Sequence, residues 1–292
     1  MVSQAPPSST HGSSQSGPPS APRASWRVPP PPARVRALST LTEFFRQLGE
    51  VATLFANCVR ALFRKPFEGR EIIRQLESLG VASMGIVTVT SLFIGMVMST
   101  QFAFGLQKFG GMEYTGRVVA LTFARELAPT LTAVIVGGRI GAGMTAELGA
   151  MAVTEQLDAI SALGADPVKK LVLPRLIASV IVLPIVGTFA LILGFTGAML
   201  ITDTQFGIPA AFFFQSALDQ LVLMDYLMGL VKTPVFGAII ALLGCHFGMR
   251  TRGGTAGVGS STTKTVVAIS ITILIADFFL TKLVFICWNI FL

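Results

Sequence analysis

The segment that decides the fold class reads VASMGIVTVTSLFIGMVMSTQFAFGL, from Val81 to Leu106. It holds no Asp, Glu, Lys, Arg or His, and it is long enough as a helix to cross a hydrocarbon core roughly 30 Å thick. Four further stretches share its length and apolarity, at about residues 118–143, 168–201, 226–249 and 265–290; the third begins with a polar turn. Of the 292 residues, 52% are apolar and 13% charged. Soluble domains average roughly 25% charged. The mean hydropathy of +0.71 includes a polar N-terminal tail, so the remainder is greasier still. The sequence predicts an all-α integral membrane protein with five transmembrane helices, an N-terminal interfacial amphipathic helix and a cytoplasmic coupling helix. Two His and three Cys argue against a His/Cys metal cage. Cys58, Cys245 and Cys287 fall in segments that the topology places apart, so no disulfide framework is expected.

Residues 1–37 are rich in Pro and Ser, and Arg23, Arg27, Arg34 and Arg36 are their only charged side chains. Such a segment cannot bury a core and is expected to be disordered. It lacks an apolar h-region, so it is not a secretory signal. Its acid-free, Arg- and Ser-containing start is also that of an organellar transit peptide, the lesser reading for so Pro-dominated a tail. Residues 38–292 form one membrane domain. Over about 38–66, Leu41, Phe44, Phe45, Leu48, Val51, Phe55, Val59 and Leu62 recur at three- and four-residue steps, opposite Glu43, Arg46, Gln47, Glu50 and Arg60. This amphipathic helix carries too many charges to span and is read as lying in the cytoplasmic interface, where Arg60, Arg64 and Lys65 reinforce it; a helix packed on the membrane domain is the other reading, compatible with the first.

Lys and Arg orient the crossings. Ten precede the first span; Lys169, Lys170 and Arg175 flank the second connection and Arg250, Arg252 and Lys264 the fourth. The first connection has Lys108 and Arg117, and the third has Asp203, Asp219 and Asp225 with no basic residue. The positive-inside rule puts the N-terminus and the second and fourth connections in the cytoplasm and the C-terminus outside. The net charge of +7 is mostly this bias; it suits anionic headgroups and gives no reason to invoke nucleic acid.

The second connection, Thr145 to Pro167, reads TAELGAMAVTEQLDAISALGADP. Glu147, Glu155 and Asp158 disfavour its continuing in lipid. Gly164 suits a helix stop, Asp166 an N-cap and Pro167 the first residue of the next helix. Helix connections are commonly about 2–8 residues, so one this long and acidic is read as a docking element rather than a mere connector. Glu147, Glu155, Gln156 and Asp158 are its candidate docking surface.

The sharpest signal is a set of ionisable groups inside the spans. Arg125 and Glu126 lie eight and nine residues past Arg117, roughly 12 Å beneath the outer surface. Lys232 lies seven residues past Asp225, about 10 Å deep. Asp277 is near the middle of the last span, and Lys282 is nearer the outside. A charge at the hydrocarbon centre costs at least ~2.5–3.5 kcal/mol, so these groups should face one another or water. Two roles stand equally open: a structural network with Glu126–Lys232 or Asp277–Lys232 pairs, or the polar lining of a path through the membrane. Three bases and two acids give a balance of +1. Met98, Phe102 and Leu106 share one face of the first span; by themselves they read as helix packing or lipid exposure.

Gly137, Gly141 and Ala142 in the second span, and Gly187, Ala190, Gly194 and Ala198 in the third, allow tight helix packing, within the chain or at a dimer seam. Pro129, Pro184 and Pro234 are expected to kink their spans. No Gly-Lys dipeptide occurs, so a Walker A loop is excluded, and Gly253 to Gly259 reads as a flexible cytoplasmic turn. There is no H-E-x-x-H or G-x-S-x-G pattern either. The chain is therefore not read as an enzyme, binds no cofactor of its own, and needs another chain for any ATP-driven step.

The runs Phe123-Ala-Arg-Glu-Leu-Ala-Pro129, Gly138-Arg-Ile-Gly-Ala-Gly143, Thr145-Ala-Glu-Leu-Gly149, Thr154-Glu-Gln-Leu-Asp-Ala159 and Asp166-Pro167 resemble the MlaE/YrbE family, the permease subunits of lipid-transporting ABC systems. Ser261-Thr-Thr-Lys-Thr-Val-Val267 and Ala276-Asp-Phe278 also look like the family, and the match covers about residues 40–290. The resemblance implies a homodimeric subunit of the bacterial inner membrane (an organellar envelope is the minor alternative). Its coupling helix would dock into a separate ABC ATPase that uses ATP, and an MCE-domain lipid-binding protein would sit on the outer face. Phospholipid or a related lipid would pass through a cavity at the dimer interface, with Arg125, Glu126, Lys232 and Asp277 near it for the headgroup and Met98, Phe102 and Leu106 as a wall for acyl chains; a dimer balance of +2 would suit an anionic headgroup. A rival function is an ion-coupled secondary transporter titrating Glu126 and Asp277; a third is a membrane scaffold, which would gain little from intramembrane charges.

Overall fold

The computed structural model describes residues 33–62 and 69–291, with side chains at 42, 45–62 and 69–286. The chain divides into two units, Met1–Phe45 and Arg46–Leu292. Of the first, only the opening of helix α1 (Ala33–Leu62) is described, so most of the Pro/Ser tail, like Arg64 and Lys65 in the second unit, lies outside the described residues. Everything below concerns the second unit.

Five segments there are long and apolar enough to cross a membrane: Gly69–Gln107, Met112–Val153, Val168–Phe206, Leu223–Met249 and Gly254–Ile286. The first is helix α2 (Gly69–Gln107). The second is composite: α3 (Thr115–Thr122), a π-helical stretch Phe123–Leu131, then α4 (Thr132–Val153). A short surface helix, α5 (Gln156–Ala162), precedes a π turn and α6 (Leu173–Phe206). Helix α7 (Ala210–Gln220) joins α6 to α8 (Leu223–Met249), and α9 (Gly254–Phe291) closes the chain.

Helix α2 runs along α6, α4 packs against α8 and α9, and the π stretch packs on α6 and α8. In hydrocarbon, helices gain little from burying apolar surface against one another, so backbone approach at small residues has to hold them. A Cβ on Gly95 would fall 1.9 Å from the Gly194 carbonyl oxygen, and one on Gly197 would fall 2.3 Å from that of Leu92. The small-residue stripe of α6 therefore closes a seam with α2 inside one chain. Gly137 and Gly141 likewise press on Ile240 and Ile269 of α8 and α9.

Local signals explain several boundaries. Gly164 takes a positive φ of 77° after α5. Asp166 accepts the Val168 N–H at 2.9 Å on its Oδ1, as expected of an N-cap ahead of Pro167. Other expectations need correcting. The surface helix was expected to start near Thr145, but α4 continues to Val153 and buries Thr145 and Leu148. The run Gly253 to Gly259 is not a loop; only Gly253 and Gly254 have positive φ, and α9 starts at Gly254. Helix α7 was read as plain connection; Pro209 before it and the buried positions Phe213, Ser216 and Ala217 mark it in retrospect. Helices α6 and α8 run unbroken through Pro184 and Pro234.

Helix α1 packs on the bundle. Its bundle-facing stripe is Leu54, Cys58 and Ala61, whereas Leu48, Phe55, Val59 and Leu62 of the apolar face stay exposed. Glu50, on the polar face, pairs with Arg250 at the end of α8: Nη2 donates to Oε1 at 2.6 Å, and Nη1 lies 2.5 Å from Oε2. The helix thus joins the bundle along one stripe and keeps part of its apolar face exposed, as both readings together require. Cys58 joins the same buried core as Cys245, and both are free thiols. Burial first, and Asp166 second, push the Cys58 thiol up to about 11.

Candidate functional site

Arg125, Glu126, Asp225, Lys232 and Asp277 converge where α8 and α9 meet the π stretch, on the α7 side of the bundle. Pro129 accounts for the stretch. A proline has no N–H to give the carbonyl four residues back, and its ring collides with that carbonyl. Widening into a π turn relieves the collision. The carbonyl in question is that of Arg125. It accepts from Lys232 Nζ at 3.3 Å instead.

Helix α8 presents Asp225, Gly229 and Lys232 to this stretch, one stripe at steps of four and three. Asp225 folds back on its own helix start, where Oδ2 accepts the Val222 N–H at 3.1 Å. Its Oδ1 accepts Arg125 Nε at 2.8 Å. Asp225 is 4% exposed. Gly229 permits the approach: a Cβ there would lie 2.1 Å from the Ala124 carbonyl oxygen. Lys232 is 2% exposed and donates to Glu126 Oε2 at 2.8 Å, Thr281 Oγ1 at 2.6 Å and Asp277 Oδ1 at 3.2 Å. The Thr281 hydroxyl donates to Glu126 Oε1 at 3.2 Å, closing a ring. The ammonium is thus fully enclosed by acceptors, as a charge this deep in hydrocarbon requires.

Arg125, Glu126, Lys232 and Asp277 accordingly come together. Lys232 pairs with both carboxylates proposed for it. Asp225 and Thr281 were missed: the first was counted as a surface residue of the third connection, and the second is an ordinary threonine by sequence. Asp225 alters the charge balance. Within the bonded cluster Arg125 and Lys232 stand against Glu126, Asp277 and Asp225, two bases and three acids, a balance of −1 rather than +1; Lys282 is exposed and is not part of these contacts. The side chain of Glu126 is 38% exposed and that of Arg125 30%, so the open side of the cluster offers one carboxylate and one paired guanidinium, not a free cation.

Met98 and Phe102 are half-buried against the apolar cluster of Val119, Phe123 and Ile208 on the α7 side, with Leu106 one turn beyond on the same helix. At the opposite end of the bundle, Gln156 and Asp158 are exposed on α5. Glu155 forms the α4–α5 elbow with φ 59°, the one non-glycine residue with positive φ among the described residues. Glu147 belongs to α4, exposed, and pairs with buried Arg175 at 2.9 Å.

The Permease MlaE family model matches residues 72–283. The chain belongs to the MlaE permease family. It is 38% identical over 246 residues to a probable ABC transporter permease protein of Synechocystis, covering 84% of this chain and 94% of that one. A protein of Arabidopsis thaliana, TRIGALACTOSYLDIACYLGLYCEROL 1, chloroplastic, is 38% identical over 235 residues, 80% of this chain and 67% of the relative. A probable ABC transporter permease protein of Rickettsia typhi is 36% identical over 243 residues, 83% and 94% respectively. This MlaE permease is therefore a multi-pass membrane protein of the ABC transporter permease class, and its matched region includes the π stretch, the elbow and the whole charged cluster.

Proposed function

We propose that this permease moves phospholipid or a related glycerolipid past the charged cluster, driven by an ATPase on a separate chain that docks at the α5 elbow. The observation that carries the reading is the cluster itself: a lysine sealed by four acceptors, with Glu126 and Arg125 left partly open on its outer side. An enclosed ion pair that still presents polar groups at its rim gives a headgroup something to bind without leaving a bare charge in hydrocarbon. The open carboxylate and guanidinium match a zwitterionic headgroup, phosphate toward Arg125 and amine toward Glu126, better than a purely anionic one. The Arabidopsis relative carries a glycerolipid in its name.

The basic residues around α5 and at the α8–α9 turn support a reading with that end of the bundle in the cytoplasm and α7 outside. A second permease protomer completes the lipid cavity, an MCE-domain protein receives or delivers lipid near α7, and the setting is the bacterial inner membrane or an organellar envelope derived from it. Docking at α5 is supported by backbone strain. A left-handed conformation at a residue with a Cβ costs roughly 1–2 kcal/mol, and such strain persists where the surroundings use it. Glu155 and Asp158 face outward from this elbow.

The docking role has a direct test. Like charges brought together across an interface cost several kcal/mol. The double variant Glu155→Lys, Asp158→Lys should insert normally yet lose ATPase copurification and stimulation by at least about tenfold. Unchanged copurification and stimulation would contradict docking at α5.

A further inference from the structure

We propose a second lipid site on this chain: a groove between α2 and α4 whose cytoplasmic mouth is closed by Arg139, built to hold one acyl chain with its phosphodiester on the guanidinium. The inference adds a site to the transport reading and rests on it only for the orientation of the bundle.

The groove is a shallow trough with enclosed room of about 10 Å³, so an acyl chain would lie along its apolar wall rather than inside a cavity. Buried Val87 lies on its floor, and half-buried Thr90, Ile94, Leu127, Leu131 and Ile135 line it. On α4 the lining positions Leu131 and Ile135 continue at a step of four to Arg139, so all three share one face. On α2 the lining residue Val87 is followed one turn down by Ser83. Arg139 Nη1 donates to Ser83 Oγ at 2.9 Å, which fixes the guanidinium one turn beyond the lined part of the groove.

Two features mark Arg139 as a ligand's partner rather than a structural ion. First, it is exposed, and its hydrogen-bond partner is a hydroxyl; no carboxylate pairs with it among the described residues. Arg125, Arg175, Lys232 and Arg250 each have one. Second, its depth suits a headgroup. Arg139 lies four residues short of Gly143, where the apolar run ends, so its Cα sits roughly 6 Å inside the boundary. A guanidinium on a three-carbon stem reaches the phosphate level from there. Buried Ser83 holds one nitrogen and leaves the others of the fork for phosphate oxygens, the geometry in which arginine binds phosphate through paired hydrogen bonds.

The test is retention of lipid by the purified permease–ATPase complex without nucleotide, read by native mass spectrometry after incubation with phosphatidylglycerol or with diacylglycerol of the same chains. Wild type should retain one phosphatidylglycerol per protomer that diacylglycerol does not replace. Arg139→Ala should lower that retention about tenfold and Arg139→Lys by less, since lysine keeps the charge but not the fork. Thr90→Phe, which fills the groove and leaves the guanidinium intact, should also lower it. The triple variant Lys232→Met, Glu126→Gln, Asp277→Asn, which disarms the transport cluster without stranding a charge, should leave this lipid bound; its loss there, or retention unchanged in Arg139→Ala and Thr90→Phe, overturns the proposal. Loss of the permease dimer in Arg139→Ala with lipid retention intact overturns it as well, by assigning the exposed guanidinium to a protein interface. No arm reads transport, so a failure here and a failure of the transport reading are separable.

Discussion

Replacing Lys232 by Ala is expected to lower both the thermal stability and the lipid transport of the permease more than any other single change. Glu126 and Asp277 each lie within 3.2 Å of the lost ammonium, and no second cation is at hand because Arg125 is already held by Asp225. Two carboxylates then share a low-dielectric site, and one must take up a proton. Removing one partner of a buried pair typically costs ~3–5 kcal/mol, and Lys232, 2% exposed, belongs in that range although Glu126 is partly open to solvent. The triple variant Lys232→Met, Glu126→Gln, Asp277→Asn separates stability from transport. It removes the stranded charges, so abundance and melting temperature should recover. Transport should stay down by about tenfold or more if the charges meet headgroups, since about 1.4 kcal/mol of lost binding suffices for that factor. Full transport by the triple variant would reduce the cluster to a structural device.

The second large effect is expected at a residue with no side chain. In Gly229→Ala the new methyl would sit 2.1 Å from the Ala124 carbonyl oxygen, a backbone atom that cannot swing aside. Helix α8 must retreat from the π stretch, and the stripe that retreats carries Asp225 on one side of Gly229 and Lys232 on the other. Overpacking alone costs typically 1–3 kcal/mol; here it also lengthens the Arg125–Asp225 and Lys232–Glu126 contacts. Gly237→Ala is the matched control. Its Cβ would lie 2.5 Å from the Ser179 carbonyl oxygen, a comparable overlap two turns further along α8 and away from the cluster. Both variants should melt at lower temperature, but only Gly229→Ala should lower transport per folded molecule. Equal transport losses in the two would mean that the close approach serves packing alone.

The sequence made the cluster legible through one physical fact: ions are expensive in hydrocarbon, so Arg125, Glu126, Lys232 and Asp277 stand out against apolar runs. It did not reveal Asp225, because a carboxylate at a span boundary needs no explanation by cost. Its role emerges only when α8 starts at Leu223 and turns the side chain inward. Thr281 was invisible for a related reason, as a helical threonine ordinarily satisfies its hydroxyl on a nearby backbone carbonyl. Pro129 announced a disturbance in the second span, but the form it took, a π stretch that hands the Arg125 carbonyl to Lys232, depends on a helix 100 residues away. The amphipathic reading of α1 found a real apolar face and set Glu50 on the opposite one, without showing what Glu50 meets. Periodicity separates polar from apolar positions, and here a polar position meets the bundle through Arg250. Arg139 lay inside a quoted family motif and went unremarked because, one turn from the boundary, an arginine costs little.

A passive lipid conduit powered from outside itself and an ion-coupled transporter differ in what drives transfer. The most direct measurement is transfer of fluorescent phospholipid by vesicles containing the permease with its copurified ATPase, compared with and without ATP and with and without an imposed proton gradient. Transfer that requires ATP, ignores the gradient and disappears in Glu155→Lys, Asp158→Lys is the predicted result. Transfer that follows the gradient in vesicles lacking the ATPase, and is lost in Glu126→Gln or Asp277→Asn, would contradict it and make this protein an ion-coupled transporter.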